Sequence, residues 1–261
     1  MTARLDSAFA DRSSAAFVAY LMGGDPDVAT SLELMKGLPG AGVDIIELGM
    51  PFTDPAADGP TIEDAGLRSL EAGTTLDAIL GMVRSFREDN ATTPVILMGY
   101  ANPVHHRGYT AFARDMADAG ADGAIIVDLP PEEDGELRTA FETHDLALIR
   151  LATPTTDAAR LSDVVRGTKG FVYYVSMTGI TGSAEAETEG LSAQVDAVRT
   201  ASALPVVVGF GIKTPARAAE IARIADGVVV GSAIVAEMAE NGVDAALDLT
   251  KSLADATHSA S

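Results

Sequence analysis

Two carboxylates in the first quarter of the chain have the placement that acid–base chemistry requires. Glu47 follows the apolar sequence VDII, and Asp58 lies in segment 49–60, which is punctuated by proline and glycine. A carboxylate inside an apolar run either lines an open site or is buried at a cost of several kcal/mol, roughly, when it is unpaired. Two carboxylates in different environments can divide proton transfer and charge stabilisation between them. The structural alternative is that Glu47 accepts a hydrogen bond from a neighbouring loop amide.

Glycines at three later strand ends indicate an anion site. They are Gly182, Gly211 and Gly231, and Gly231 is followed by Ser232 at a predicted helix start. Glycine permits close approach of the backbone to an anion, and a helix N-terminus offers free N–H groups. These features predict a small phosphorylated substrate. The alternative is that the glycines only end strands.

Short apolar segments alternate with amphipathic ones along the chain. Continuous Val, Ile and Leu indicates strands that are buried on both faces, as in a parallel sheet. The predicted strands are residues 16–22, 43–48, 94–98, 123–127, 146–151, 170–175, 205–209 and 227–231. The predicted helices between them are residues 27–38, 74–88, 109–119, 132–143, 156–166, 190–202, 215–224 and 233–240.

This alternation predicts an α/β fold, a single-domain (β/α)8 TIM barrel over residues 1–261 with extra short helices at 3–10, 61–71 and after 243. The rival is a doubly wound open sheet, which usually has a GxGxxG turn after its first strand, whereas GGDPD stands here. In a barrel, the chemistry takes place where the strands end and the βα loops begin. Glu47, Asp58 and the three glycines all fall at such positions.

Composition excludes several classes of function. The chain has 261 residues, with 18 Lys and Arg against 38 Asp and Glu, which gives a net charge of −20. Such acidity disfavours binding to nucleic acids and to anionic membranes. Cysteine is absent, no apolar run is long enough to span a membrane, and the four histidines lack metal-ligand spacing. We therefore expect a cytoplasmic protein without a metal site, with His105 and His106 as exposed loop residues.

The run IELGMPFTDPAADGPTI (46–62) resembles the signature of the tryptophan synthase alpha subunit family. Further matching runs are FVAYLMGGDP (17–26), MGYANPV (98–104), AGADGAIIVDLP (119–130), YYVSMTGITG (173–182), VVVGFGI (206–212) and DGVVVGSAIV (226–235). The resemblance implies retro-aldol cleavage of indole-3-glycerol phosphate to indole and glyceraldehyde 3-phosphate. It also implies that indole passes to a beta subunit, which condenses it with L-serine to L-tryptophan.

The resemblance also assigns roles to residues. It implies that Glu47 is the catalytic acid and base and that Asp58 is the second catalytic carboxylate. The implied substrate-binding residues are Tyr20, Ile62, Met98, Ile125, Tyr173, Thr181 and Phe210. The implied phosphate-binding residues are Gly182, Gly211, Gly231 and Ser232. For the apolar members of the indole pocket, ordinary filling of the barrel is the alternative.

The resemblance implies no cofactor in this subunit and pyridoxal phosphate in the partner beta subunit of an alpha2beta2 heterotetramer. Two other functions stay open: an inactive partner that only activates a beta-type subunit, and a stand-alone lyase that releases indole. Segment 177–190 has few large apolar side chains after Ile180, so we expect a loop there that closes over the site with Thr181.

Overall fold

The predicted strands are all present and form one closed sheet. A computed structural model of the chain describes residues 3–10, 14–156, 158–176, 184–209 and 211–260. Within these residues, eight parallel strands pair in chain order and β8 closes on β1, which confirms the TIM barrel and excludes the open sheet. The strands are β1 Ala16–Met22, β2 Ile45–Gly49, β3 Val95–Gly99, β4 Gly123–Ile126, β5 Ala147–Ala152, β6 Val172–Val175, β7 Val206–Gly209 and β8 Gly227–Val230.

Helices surround the barrel, and the extra ones at 3–10, 61–71 and after 243 are confirmed. They are α1 Ala3–Phe9, α2 Val28–Gly37, α3 Pro60–Glu71, α4 Leu76–Asp89, α5 Ala101–Arg107, α6 Tyr109–Ala119, α7 Gly135–Thr143, α8 Ala158–Val165, α9 Ala184–Ser202, α10 Pro215–Ala222 and α11 Ser232–His258. The last is kinked at Gly242, where φ is 85°. Among the helices in the described ranges, none combines the length and the apolarity that crossing a membrane demands.

Threonine side chains cap the N-termini of two of these helices. The Thr75 side chain accepts a hydrogen bond from the Ala78 amide (3.3 Å) at the start of α4. Thr214 accepts one from the Arg217 amide (3.3 Å) at the start of α10. Each cap satisfies one of the amides that a helix N-terminus leaves without an intrahelical partner.

Two segments predicted as loops are helical in part. The loop prediction for His105 and His106 is wrong, because both lie in α5, although both are exposed as expected. Only Val104 of α5 is buried, so this short helix has no apolar periodicity to reveal it. The predicted loop 177–190 is also wrong in its second half, because α9 begins at Ala184. Its sequence AEAETEG contains Ala and Glu, which are good helix formers without large apolar side chains.

Alternation along each strand divides the barrel core into two shells. Outward-facing side chains such as Ile46 and Leu48 pack with the surrounding helices in one large cluster. Inward-facing side chains such as Val18, Ile45 and Ile96 pack in a second cluster that fills the barrel. Glu47 lies between two outward-facing residues of β2, so its carboxyl group points into the barrel.

The end of the barrel opposite the strand C-termini is held together by two aspartates that bind strand amides. Asp122, which is fully buried, accepts hydrogen bonds from Arg4 Nε (2.7 Å), Arg87 Nη2 (2.8 Å) and the Val95 amide (2.8 Å). Asp226 accepts the Val206 amide (2.8 Å) in the corresponding way. Each aspartate precedes a strand and fixes the start of the neighbouring strand.

We expect Asp122→Ala to lower the free energy of unfolding by about 3–5 kcal/mol, because it removes the carboxylate that pairs with two partly buried guanidinium groups and accepts a strand amide. Asp89→Ala is the control, since Asp89 is 67% exposed and forms only a surface ion pair with Lys36. That control should cost at most about 1 kcal/mol. Urea unfolding of both variants measures the difference, and equal losses would contradict the role of Asp122.

Candidate active site

Glu47 is a buried acid without a hydrogen-bond partner in the described part of the chain. Its side chain is fully buried in β2, and neither carboxyl oxygen has a hydrogen-bond partner among the described residues. The alternative that Glu47 is bonded to a loop amide is therefore not the arrangement found. Burial raises the pKa of Glu47 to about 8, because the charged form loses its hydration without gaining a partner. At neutral pH the group therefore holds a proton that it can donate.

Asp58 is placed by the segment that joins β2 to α3. The Asp58 amide donates a hydrogen bond to the Pro55 carbonyl (3.1 Å), and α3 begins two residues later at Pro60. Its side chain is half-buried. Burial and the nearby Glu63 raise the pKa of Asp58, and a hydrogen bond from Tyr100 opposes them. Asp58 therefore meets a more polar surrounding than Glu47 does.

Tyr20 lies near both carboxylates. It pairs directly with Glu47 in the register of β1 and β2, and it is 8% exposed. After burial itself, the charges of Asp58 and Glu47 are the largest causes that raise the pKa of Tyr20 well above its usual value. One tyrosine thus lies within electrostatic reach of both acids, although they are eleven positions apart along the chain.

Apolar residues beside the two acids form a cluster at the barrel mouth. Tyr20 packs there with Met22, Ala65 and Val235, and Ile62 and Met98 pack against the same cluster. Three of the residues predicted to line an indole pocket therefore meet in one place. Helix α3 supplies Ile62 and Ala65, and it starts two residues after Asp58.

Tyr173 and Ile125 lie in the cluster that fills the barrel. Ile125 is 1% exposed and packs among the side chains that fill the barrel. Tyr173 lies near Glu47, since the charge of Glu47 adds to burial in raising the pKa of Tyr173 well above its usual value. A Cβ at Gly209 would collide with the Tyr173 hydroxyl, and one at Gly49 would collide with the Tyr20 hydroxyl. Glycine at these strand ends therefore makes room for both tyrosines.

Part of the predicted phosphate site can be placed. Gly231 and Ser232 stand at the start of α11, directly after β8, and no side chain caps this helix. Gly211 follows β7 with φ at 74°, a conformation that favours glycine. A Cβ at Gly231 would lie 3.1 Å from Tyr20 Cβ, so this glycine also serves packing. Thr181, Gly182 and Phe210 lie outside the described residues.

Sequence reasoning missed Tyr100 as a site residue. This tyrosine follows β3, is 4% exposed, and accepts a hydrogen bond from the Ala57 amide (3.1 Å) through its hydroxyl oxygen. The same hydroxyl lowers the pKa of Asp58. The available signal was its place at the C-terminal end of a barrel strand, but an aromatic ring there is equally typical of packing.

Comparison with known proteins decides the family. The family model for the tryptophan synthase alpha chain matches residues 7–260. The chain belongs to this family. It is similar to the tryptophan synthase alpha chain of Phenylobacterium zucineum (strain HLK1), with 57% identity over 95% of this chain and 90% of the relative. It is also similar to that of Caulobacter sp. (strain K31), with 53% identity over 98% and 97%.

Solved structures of the family agree. The crystal structure of tryptophan synthase alpha chain from Legionella pneumophila subsp. pneumophila superimposes with a TM-score of 0.90 at 38% identity, covering 98% of both chains. A chain of aminoacrylate-bound tryptophan synthase from M. tuberculosis gives a TM-score of 0.88 at 37% identity, over 98% of this chain and all of that one. The family resemblance inferred from the run at 46–62 is thereby confirmed.

Proposed function

We propose that the chain cleaves indole-3-glycerol phosphate to indole and glyceraldehyde 3-phosphate, with Glu47 and Asp58 as its catalytic residues. The observation that carries these roles is the fully buried carboxyl of Glu47, which has no hydrogen-bond partner among the described residues. It lies beside Tyr20, whose pKa the charges of both Glu47 and Asp58 raise. Family membership supports the reaction, and the geometry supports the division of work between the two acids.

Proton transfer is the work of Glu47. Cleavage of the carbon–carbon bond requires a proton at indole C3 and removal of the proton from the adjacent glycerol hydroxyl. Protonated Glu47 gives its proton to C3, and the resulting carboxylate then takes the hydroxyl proton while the bond breaks. The electron pair of that bond returns to the indole ring, the glycerol carbon becomes the aldehyde, and Glu47 is again protonated. A pKa near neutrality suits a group that must act in both directions.

Charge stabilisation is the work of Asp58. Protonation at C3 places positive charge on the ring nitrogen, and an ionised carboxylate opposite that nitrogen stabilises the intermediate. Asp58 suits this role because Tyr100 donates a hydrogen bond to its charged form. Tyr20, Ile62 and Met98 offer apolar surface for the indole ring beside the two acids.

The substrate phosphate binds at the start of α11 in this proposal. The first amides of that helix, beginning at Ser232, have no capping side chain. They are therefore free for an anion, and the helix dipole adds to the attraction. Gly211 after β7 and Gly231 at the helix start complete the described part of this site.

Ser232→Asp tests the phosphate site. The added carboxylate should raise KM for indole-3-glycerol phosphate at least about tenfold, because it lies where the phosphate binds. The thermal stability should be equal or higher, since an acidic residue at a helix N-terminus is favourable. Ser232→Asn is the uncharged control of matching shape. Steady-state kinetics would contradict the site if the two variants had the same KM.

The partner in this proposal is a tryptophan synthase beta subunit, in a cytoplasmic alpha2beta2 heterotetramer. This chain needs no cofactor of its own, because the protonated indole ring accepts the electrons of the broken bond, and pyridoxal phosphate belongs to the beta subunit. Indole release by the purified chain, measured with and without added beta subunit, tests the proposal. Absence of release in both cases would indicate a purely activating partner, and a full rate without beta subunit would indicate a stand-alone lyase.

A further inference from the structure

We propose that Tyr100 is a positioning residue that holds the β2–α3 loop, residues 50–59, and thereby fixes the place of Asp58 in the site. This inference rests on the proposed function, because it assigns a task in the same reaction. Tyr100 does not need to touch the substrate. It acts through Asp58.

Two contacts join Tyr100 to this loop. Its ring packs against the Phe52 ring with 5.5 Å between centroids, near the start of the loop. Its hydroxyl oxygen accepts the Ala57 amide (3.1 Å) near the end of the loop. One side chain therefore holds the loop near both ends, and its second contact is at the residue before Asp58. The same hydroxyl lowers the pKa of the adjacent Asp58 carboxyl.

The contact with Ala57 decides what the Tyr100 hydroxyl can offer to Asp58. An amide can only donate, so the hydroxyl oxygen is the acceptor toward Ala57, and its single hydrogen is free for Asp58. A donor aimed at a carboxylate stabilises the ionised form and lowers its pKa. Burial raises the pKa of Tyr100 to about 12, with the Asp58 and Asp128 charges adding to it, so the hydroxyl keeps its hydrogen throughout the working pH range.

Tyr100 is itself held in place from the next loop. Asp128, which follows β4, accepts a hydrogen bond from the Ala101 amide (2.7 Å). This bond fixes the first residue of α5 and therefore the direction in which Tyr100 leaves the end of β3. The ring is 4% exposed, which leaves it little room to turn. The hydroxyl thus has a defined position before substrate binds.

The charges around Asp58 explain why it needs this donor. Burial and the Glu63 carboxylate on α3 both raise the pKa of Asp58, and Tyr20 on β1 lies within electrostatic reach of it. Among the described groups that shift the pKa of Asp58, the Tyr100 hydroxyl is the one that lowers it. Without it, part of the population would carry a neutral Asp58 at mildly acidic pH. A neutral group cannot stabilise a cationic ring.

Tyr100→Phe tests the proposal, because it removes the hydroxyl and retains the ring that packs on Phe52. We expect the pKa of Asp58, followed by carbon-13 NMR of the ligand-free protein, to rise by roughly one to two units. The acid limb of kcat/KM should move upward by the same amount. The loss of activity should therefore be larger at pH 5.5 than at pH 7.5. Tyr109→Phe is the control, since Tyr109 lies on α6 against His105 and should leave both readouts unchanged.

A double variant, Asp58→Asn with Tyr100→Phe, tests whether Tyr100 acts through Asp58. If it does, the second substitution adds almost nothing to the loss caused by the first. Independent, multiplying losses would overturn the proposal, as would an unchanged Asp58 pKa in Tyr100→Phe. If the unmodified chain released no indole, the proposed function would fail, and the NMR titration would still decide whether Tyr100 controls Asp58.

Discussion

Glu47→Gln is expected to lower indole release by roughly 10²–10⁴-fold while the barrel stays folded. Glutamine keeps the size of the side chain but can neither give a proton to indole C3 nor take one from the glycerol hydroxyl. Since the loss falls on the chemical step, kcat should carry it, and KM should change little. Single-turnover measurements at saturating substrate give this number directly. Retention of more than half of the normal turnover would show that Glu47 is not the proton carrier.

The same substitution should make the protein more stable above about pH 5. The pKa of Glu47 is about 8 in the folded chain, whereas the ordinary pKa of a glutamate is 4.5, so the unfolded state loses the proton first as the pH rises. Glu47 therefore destabilises the folded state progressively from pH 4.5 to pH 8, and glutamine removes this penalty. We expect a gain of a few kcal/mol in the free energy of unfolding at pH 7, and almost none at pH 4. Lower activity with higher stability separates a functional role from a structural one.

The barrel strands were predictable because each is specified by its own short sequence. Runs such as PVVVG and GVVVG are apolar at every position, which suits a strand covered on both faces and little else of that length. Glu47 was conspicuous for the same reason, as a carboxylate inside such a run. Asp58 was conspicuous because it stands in a long segment punctuated by proline and glycine, and such loops commonly carry function.

Features that depend on distant contacts were not predictable. Asp122 needs Arg4 and Arg87, which come from two different helices, and nothing in the local sequence pairs them. From the sequence, Tyr100 cannot be told from a residue that only packs, because its contacts with Phe52 and the rest of the β2–α3 loop are visible only in the structure. The sequence around α5 does not predict a helix, because a helix with one buried side chain has no repeating pattern of apolar residues. The sequence also does not show which predicted pocket residues lie at the barrel mouth and which lie inside the barrel. In the structure, Ile62 lies at the mouth and Ile125 lies inside.

Asp58→Asn is the second substitution for which we expect a large effect, a loss of about 10²–10³-fold in kcat, comparable to the removal of one preorganised electrostatic group. Asparagine has nearly the shape of aspartate, so the loop and its contact with Ala57 should persist. Only the negative charge opposite the indole nitrogen is lost. Asp54→Asn is the control, because Asp54 lies in the same loop but is exposed and bonded only to the neighbouring Thr53 (2.5 Å). A similar loss in both variants would mean that general loop charge, not Asp58, is responsible.

The pH dependence of Asp58→Asn gives the sharper test. Activity of the unmodified chain needs Asp58 ionised and Glu47 protonated, so it should fall on the acid side through Asp58 and on the alkaline side near pH 8 through Glu47. Asparagine does not titrate, so the variant should lose the acid limb and keep the alkaline one. The substrate phosphate titrates identically with both proteins, and the ratio of their rates therefore isolates Asp58. That ratio should rise in favour of the variant as the pH falls below the Asp58 pKa, and a ratio independent of pH would assign the acid limb to another group.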